Sequence, residues 1–419
     1  MKIGVYSLHN YDKKVGGGYN YFRTIIDALE TFSSKHEFVI IVDSESEFSF
    51  EQKTKFGTKI ISFTRKTTDY PFIWRVLNYI SRKLKWKGIN AMVSNVYAKL
   101  DSIQLKKEQE RFEYLISKEK IDMVYYPVPL ACFSPNVPFF TTVWDFAHFT
   151  KPWFPEITQK GQYATRNDFY TNFLPRASKI IIESEKGREQ VTTMYPVPNH
   201  KITTIRQFGS YLVDIVVSQD RQVEILNKYN LEKGKFIFYP AQMWSHKNHY
   251  NLLMAMSELK ERGHHFDIVF TGADYGNEAY IREIAEELNL VNEYKYLGFV
   301  DEDEIVTFYK NAFALTYASL AGPTNIPIVE GLALKCPVIC HHLEGHQEQG
   351  NEYATYIDGS KPEEWIDAIE EMIQNPNDTT KKVEDGYHYY INSDLRIEKA
   401  IVKLIDAFDE FEGYRKCWR

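Results

Sequence analysis

Cysteine is scarce in this chain of 419 residues, and its four copies show no pairing pattern. Cys132, Cys336, Cys340 and Cys417 include no C-x-x-C pair, which argues against a zinc site and against a disulfide framework. The spacing favours a reducing compartment, and we therefore expect a cytoplasmic protein.

Long uncharged apolar runs are also missing. No such run approaches the length of about 18 residues that a membrane-spanning helix needs. The first residues, 2 to 8, already predict a strand, so we expect no secretory signal peptide. Positive charge is not in excess either, because the net charge is −7, which argues against a general nucleic-acid binder.

The length and composition indicate two soluble domains. A chain of 419 residues, of which 44% are hydrophobic and 26% charged, is long for one core and suits two cores of about 200 residues each. Aromatic residues make up 15%, which would suit carbohydrate stacking, although core packing is the commoner reason for such a content.

Strand and helix patterns alternate along most of the chain, which predicts an α/β fold. We place a first domain at 1–207, a second at 208–395 and a C-terminal helix at 396–419. A mainly helical insertion at about 65–120 interrupts the first domain. Its basic, aromatic part at about 71–87 suits either an anionic membrane surface or a groove of its own domain, and its later part, 105–119, should be solvated.

The stretch from Ser319 to Ile339 carries the clearest signal. An apolar strand runs into the turn-forming residues 322–325, and apolar residues at helical spacing follow, with Pro327 suited to a first helical position. A strand, turn and helix of this kind aims backbone N–H groups and a helix dipole at a phosphate, although an ordinary βα unit would show the same pattern. Glu330 favours a ligand, because a buried carboxylate needs donors and ribose hydroxyls would supply them.

Three other segments carry candidate ligand-binding residues. The glycines Gly16–Gly18 follow the first strand without forming G-x-G-x-x-G, and they allow either close approach to a ligand or a flexible loop. Asp145 and His148 follow a strand end, where open α/β sheets bind ligands, although Asp145 would also serve as a helix cap. Lys247 lies beside a helix N-terminus, where an ammonium is poorly placed unless an anion shares the site, with a solvated lysine as the alternative.

Two patterns that resemble metal motifs have simpler explanations. Asp301–Asp303 spells D-x-D, but Asp301 with Glu304 forms a capping-box pattern at the start of a helix. The histidines at 341, 342 and 346 surround Gly345, so we expect no helix that would hold them as ligands on one face.

Taken together, these segments resemble the family 4 retaining glycosyltransferases. That family carries two glutamates separated by seven residues, of which Glu330 matches the second, whereas Gly322 stands at the first. Gln242 likewise stands where the family has an arginine five residues before the lysine that corresponds to Lys247. The resemblance implies the GT-B fold, with two Rossmann-like domains facing a central cleft and a C-terminal helix crossing back to the first domain.

The resemblance also implies the roles of individual residues. Asp145, His148 and Lys247 would be catalytic, without a metal or other cofactor. The donor, a nucleotide-sugar, would be bound by Gly17, Gly18, His246, Lys247, Asn248, Gly272, Phe299, Val300, Gly322, Pro323, Thr324, Asn325, Ile326 and Glu330. The acceptor would be a saccharide or a lipid-linked saccharide, in cell-surface polysaccharide or glycan biosynthesis, with peripheral contact to the cytoplasmic membrane face through about 71–87.

Two alternatives to a retaining hexosyl- or deoxyhexosyltransferase stay open at this point. One is a nucleotide-sugar epimerase or hydrolase on the same fold. The other is a non-catalytic partner subunit, which the missing first glutamate and the missing arginine make plausible.

Overall fold

The computed structural model describes residues 1–6, 16–42, 58–63, 105–128 and 135–418. The membrane-binding segment predicted at about 71–87 and Cys132 lie outside these residues. Within the described part of the chain, no helix combines the length and the apolar character that crossing a bilayer requires. Cys336 and Cys340 are buried free thiols.

The described residues form two compact units, the first of which contains four strands and a helix at 105–118. Its strands pair in parallel in the order β3-β2-β1-β4. These strands are β1 (Lys2–Tyr6), β2 (Glu37–Val42), β3 (Lys59–Ser62) and β4 (Met123–Tyr126). The helix at 105–118 was expected to be solvated, but it buries one face, including Phe112 and Ile116, because apolar residues recur there at helical spacing.

The second unit contains parallel strands in two groups, and their carboxyl ends carry most of the site described below. The first group has the order β5-β6-β7, and the second has the order β10-β9-β8-β11-β12-β13. These strands are β5 (Phe139–Val143), β6 (Lys179–Ile182), β7 (Ile202–Thr204), β8 (Phe236–Pro240), β9 (Asp267–Thr271), β10 (Tyr294–Tyr296), β11 (Ala314–Tyr317), β12 (Val338–His341) and β13 (Thr355–Ile357).

Helices connect these strands and cover their faces. In the second unit the α-helices are Gly17–Thr31, Ala147–Thr150, Pro155–Thr158, Gln162–Asp168, Glu185–Met194, Gln219–Lys228, His249–Glu261, Glu278–Glu287, Glu302–Asn311, Ile326–Ala333, Glu344–Gly350, Pro362–Gln374, Pro376–Asn392 and Ile397–Arg415. The core strands β8 and β11 are buried and mainly apolar, as expected for parallel strands covered on both faces. Leu253 and Trp365 from two covering helices join the same core.

The last long helix, Ile397–Arg415, packs against β5. The rings of Phe408 and Phe411 lie 5.3 and 5.6 Å from the ring of Phe140, and Lys179 forms an ion pair of 2.8 Å with Glu410. This confirms the predicted return of the C-terminal helix to the strands of the amino-terminal half. The domain limits predicted at 207/208 and 395/396 stay predictions, because the compact units group the chain differently.

The helix Glu344–Gly350 corrects one prediction. We expected none after β12, because Gly345 disfavours helix. A Cβ atom at Gly345 would lie 1.7 Å from the carbonyl oxygen of Pro323, so this helix packs against the turn 322–325 at a point where only glycine fits. The helix does not make a metal cluster, because both ring nitrogens of His346 are hydrogen-bonded, to His341 O and to the Asn325 amide.

Candidate active site

The turn after β11 has the predicted form. Gly322 has a φ of 97°, a left-handed conformation that favours glycine, and the helix Ile326–Ala333 follows with Pro327 in its first turn. Glycine at 322 is therefore matched to the backbone conformation, and a glutamate there would be strained. The helix begins beside the ammonium group of Lys247.

Lys247 is held by three neutral oxygens. Its Nζ lies 2.9 Å from Tyr317 Oη, 3.3 Å from Ser319 Oγ and 3.4 Å from Asn325 Oδ1. Burial lowers the pKa of Lys247 to about 8, although the charges of Asp145 and Glu156 act in the opposite direction. Among the described residues Lys247 forms no ion pair, so its positive charge is solvated by dipoles alone.

The side chain and the backbone N–H of Asn325 are both hydrogen-bonded within the protein. Its Oδ1 accepts from Tyr317 Oη at 2.7 Å as well as from Lys247, and its Nδ2 lies 2.7 Å from Nε2 of His346. Its backbone N–H donates to Oε1 of Gln349 at 2.9 Å. One of the backbone donors predicted for a phosphate is therefore engaged within the protein, and Asn325 fixes the position of Lys247.

Glu330 is buried, and its donors come from the protein. Ser210 Oγ donates to Oε1, and Tyr309 Oη donates to Oε2 at 2.7 Å. Burial raises the pKa of Glu330, although both hydrogen bonds oppose this shift. Two protein hydroxyls therefore already satisfy this carboxyl, and ribose binding by Glu330 stays a prediction.

The residues on either side of Lys247, His246 and Asn248, are hydrogen-bonded within the protein. Asn248 has a φ of 57°, and its Nδ2 donates to Gly359 O at 2.6 Å, so its buried amide bridges backbone segments and does not face a ligand. His246 is bound through its backbone N–H and its ring by the carboxylate of Glu156. Burial lowers the pKa of His246 despite that carboxylate, so the ring is neutral at pH 7 and donates from Nδ1.

Asp145 lies where the sequence placed it, after β5. Its Oδ1 accepts from Ala147 N–H at 2.7 Å and from the Arg166 guanidinium, and its side chain is 26% exposed. Burial would raise the pKa of Asp145, but Arg166 and the backbone donor outweigh it, so the group stays ionised. The charge of Asp145 also acts to raise the pKa of Lys247, of His246 and of Glu183, although burial lowers the first two overall. These groups therefore share one electrostatic environment.

His148 feels the charge of Asp145 as well, but its own side chain is enclosed by aromatic residues. The residue is 0% exposed, its Nε2 is 2.9 Å from Tyr195 Oη, and its ring stacks on Tyr170 at 4.7 Å. Burial lowers its pKa to about 4, so it is neutral at pH 7. The predicted catalytic role of His148 is therefore corrected to packing within an aromatic cluster.

The glycines of the predicted donor site approach the same loops. A Cβ atom at Gly16 would lie 3.6 Å from Nε2 of Gln242, and one at Gly17 would lie 3.9 Å from Cδ1 of Ile326. Gly17 and Gly18 thus open the helix Gly17–Thr31 close to Ile326, which follows the turn 322–325. The Oε1 of Gln242 accepts from Trp244 Nε1 at 2.8 Å, which fixes the side chain that replaces the expected arginine.

The remaining predicted residues border the loop after β9. A Cβ atom at Gly272 would lie 2.8 Å from Ala241 O, so the glycine is needed for close packing, and its N–H donates to Gly298 O at 2.7 Å. Val300 is buried, whereas Phe299 is 46% exposed. Val300 therefore offers a ligand only its backbone.

Sequence reasoning missed Glu183, Tyr317 and Ser319. The last two hold the ammonium group of Lys247, and Glu183 accepts from Thr324 Oγ1 at 2.8 Å. Glu183 follows the end of β6, the strand beside β5, so the strand-end argument that found Asp145 would have found it as well.

The D-x-D sequence is a helix cap, as predicted. Asp301 and Glu304 form a complete capping box, in which Asp301 N–H donates to Glu304 Oε2 at 2.9 Å. Asp303 also forms an ion pair with Arg221 at 2.8 Å.

Solved structures with the same architecture include two that cover nearly the whole chain. Sucrose-phosphate synthase from Thermosynechococcus elongatus is 14% identical, with a TM-score of 0.74 over 99% of this chain and 100% of that one. Anabaena HepE in complex with UDP-glucose is 13% identical, with a TM-score of 0.67 over 97% and 100%. The fold is GT-B.

A family model matches the part of this GT-B chain that contains Lys247 and Glu330. Residues 221–389 match the family described as glycosyl transferases group 1. The O-antigen chain mannosyltransferase B of Escherichia coli is 23% identical over 48% of this chain and 52% of its own length. An uncharacterized glycosyltransferase of Methanocaldococcus jannaschii is also 23% identical, over 41% and 44%. The aligned region thus spans about half the length of these curated relatives.

Proposed function

We propose that this protein is a retaining glycosyltransferase that moves a sugar from a nucleotide-sugar to a saccharide or lipid-linked acceptor. The observation that carries the proposal is the ammonium group of Lys247, which is desolvated, has only neutral partners among the described residues and lies beside the start of the helix Ile326–Ala333. A diphosphate would supply the missing negative charge.

The chemistry follows from where charge develops. As the bond between the anomeric carbon and the phosphate oxygen breaks, negative charge grows on the leaving diphosphate, and Lys247 stabilises it there. The acceptor hydroxyl bonds to the anomeric carbon from the same face, and its proton passes to the leaving diphosphate. Asp145, ionised and partly exposed, orients the sugar or the attacking hydroxyl.

The named relatives and neighbours support a neutral hexose as the transferred group. Two E. coli relatives are named as mannosyltransferases, and one structural neighbour was solved with UDP-glucose. We extend the proposal to a hexosyl donor in polysaccharide or glycan biosynthesis. The role of Glu330 in holding the ribose is part of this proposal, and it requires Ser210 to give up its hydrogen bond.

The first experiment is a thermal-shift screen of UDP, GDP, ADP and TDP together with their glucose and mannose esters. A ligand that binds only the folded state raises the unfolding temperature. Calorimetry with the best diphosphate should then show that Lys247→Ala binds at least about tenfold more weakly, a loss of about 1.4 kcal/mol. The matched control is Lys260→Ala, which removes a lysine that lies in the helix His249–Glu261 and pairs with Glu293. Wild-type affinity in Lys247→Ala would overturn the site.

A second assay separates this proposal from its alternatives. A transferase should consume the nucleotide-sugar rapidly only when an acceptor saccharide is present. An epimerase or hydrolase would consume it alone, and a non-catalytic partner subunit would not consume it at all.

Attachment to an anionic membrane through about 71–87 is a further part of the proposal. Each basic residue near such a surface contributes about 1 kcal/mol, so replacing Arg82, Lys83, Lys85 and Lys87 by Gln should release the protein from anionic vesicles. Failure of the wild-type protein to co-sediment with those vesicles would refute it.

A further inference from the structure

Glu183 is a buried carboxyl group that is only half satisfied. The residue is 5% exposed, and Thr324 Oγ1 donates to its Oε2 at 2.8 Å. Its other oxygen, Oε1, is enclosed and has no hydrogen-bond partner among the described residues. Buried polar atoms are rarely left in this state, so an unpaired carboxyl oxygen in a candidate site suggests that a ligand completes it.

The turn 322–325 separates this carboxyl from the ammonium group of Lys247. The side chain of Asn325 contacts Lys247, whereas the side chain of Thr324 contacts Glu183. Adjacent turn residues thus contact an ammonium group on one side and a carboxyl group on the other. A ligand lying along the turn would meet a cation near Asn325 and a carboxyl near Thr324.

A nucleotide-sugar has the matching asymmetry. Its diphosphate is anionic and suits Lys247, whereas a neutral sugar carries hydroxyl groups that donate to carboxyl oxygens. A carboxyl group offers the diphosphate no positive charge, whereas its oxygens can pair with those hydroxyls. Gly322 leaves room beside the turn, because a Cβ atom there would have its nearest neighbour, Asn325 Nδ2, at 3.6 Å.

We propose that Glu183 binds hydroxyl groups of the transferred sugar and that Thr324 positions its carboxyl for this contact. The proposal rests on the function proposed above and assigns sugar recognition to a strand end, outside the turn itself. The backbone carbonyl of Glu183 accepts from Gln207 N–H at 3.1 Å, which fixes the main chain at this point.

The protonation state of Glu183 fits this role. Burial, with a smaller contribution from the charge of Asp145, raises the pKa of Glu183 to about 8, against the hydrogen bond from Thr324. The group is then largely a neutral acid at pH 7, able both to donate to and to accept from a sugar hydroxyl. Glutamine reproduces this pairing capacity, whereas leucine has similar bulk and no polar atom.

The test compares binding of a nucleoside diphosphate with binding of its glucose or mannose ester, using the pair selected by the thermal-shift screen. Glu183→Leu should bind the ester at least tenfold more weakly than wild type while binding the diphosphate within about twofold. Glu183→Gln should bind both within about threefold of wild type. The control is Glu185→Leu, because Glu185 lies two residues away, is exposed and pairs with Arg188.

Each outcome bears on a definite claim. Equal loss of ester and diphosphate in Glu183→Leu, or no loss of either, overturns the assignment of Glu183 to the sugar. If Glu183→Leu does not fold by circular dichroism, Thr324→Val replaces it and should show the same selective loss of the ester. A wild-type protein that binds no diphosphate and no ester refutes the proposed function itself, and this assignment with it.

Discussion

Lys247 is the residue whose environment departs most clearly from that of an ordinary surface lysine. Its lowered pKa affects both the pH dependence of the folded protein's stability and the response to a bound anion. The unliganded folded protein binds fewer protons than the unfolded chain between about pH 8 and the ordinary value of 10.5, so this group's contribution to stability rises with pH there. A bound anion favours the charged form and reverses the shift.

We therefore predict that diphosphate affinity falls by about tenfold between about pH 7 and about pH 9, as the free ammonium of Lys247 with its pKa of about 8 loses its proton. The last phosphate ionisation lies near pH 6, so the ligand's own charge is nearly complete before this window. Calorimetry at several pH values measures the effect. Lys247→Met should bind weakly with a flat profile and Lys260→Met should retain the fall. A flat wild-type profile would contradict the prediction.

Single residues also show where sequence reasoning stops. Asp145 and Lys247 were identifiable because their positions relative to strand ends and helix starts follow from the local pattern. The burial of His148 and Asn248 could not be predicted, because it depends on Tyr195, Tyr170 and Gly359, which are distant in sequence. A polar side chain after a strand is a candidate for binding a ligand only if no other part of the fold provides its hydrogen-bond partner.

Among elements, the strand, turn and helix around 322–325 formed as predicted because glycine and proline mark their boundaries. The helix Glu344–Gly350 did not follow from its own sequence. Gly345 lowers helix propensity, and only the carbonyl of Pro323 explains why glycine is there. Propensity describes a segment alone, whereas this helix is determined by what it packs against.

Three aromatic residues in the short helices and turns of the segment 147–163 are exposed. Phe149, Trp153 and Tyr163 are each more than a third exposed, and the neighbouring ring of Phe154 lies 6.0 Å from the ring of His246. Aromatic faces exposed in this way suit the apolar faces of a sugar. As part of the proposed function, we propose that this surface binds the acceptor.

We accordingly predict that Trp153→Ala raises the KM for the acceptor by at least about fivefold, about 1 kcal/mol, and leaves donor binding unchanged. Steady-state kinetics at saturating donor measures the first effect, and calorimetry measures the second. Tyr280→Ala, which removes another exposed ring from the helix Glu278–Glu287, is the control. An unchanged acceptor KM in Trp153→Ala would remove this surface from the site.

At the scale of the whole molecule, the GT-B architecture gathers Lys247 and several carboxyl groups around the turn 322–325. The carboxyls have separate partners: Arg166 holds Asp145, Thr324 holds Glu183, and Ser210 with Tyr309 holds Glu330. The arrangement differs from one in which two or three carboxylates converge on a single point to bind a divalent ion. In the proposed mechanism, Lys247 and the N-terminus of the helix Ile326–Ala333 then stabilise the charge of the leaving diphosphate.

From this we predict that transfer needs no divalent metal. Donor consumption in the presence of acceptor should proceed in excess EDTA at a rate within about twofold of that with magnesium or manganese, because a lysine and a helix N-terminus supply the stabilisation that a metal gives elsewhere. Lys247→Ala provides a second test. If Lys247 supplies the stabilisation, adding magnesium or manganese should not restore the rate that this variant loses. Wild-type activity that EDTA abolishes and magnesium or manganese restores would show that a cation, and not Lys247 alone, neutralises the diphosphate.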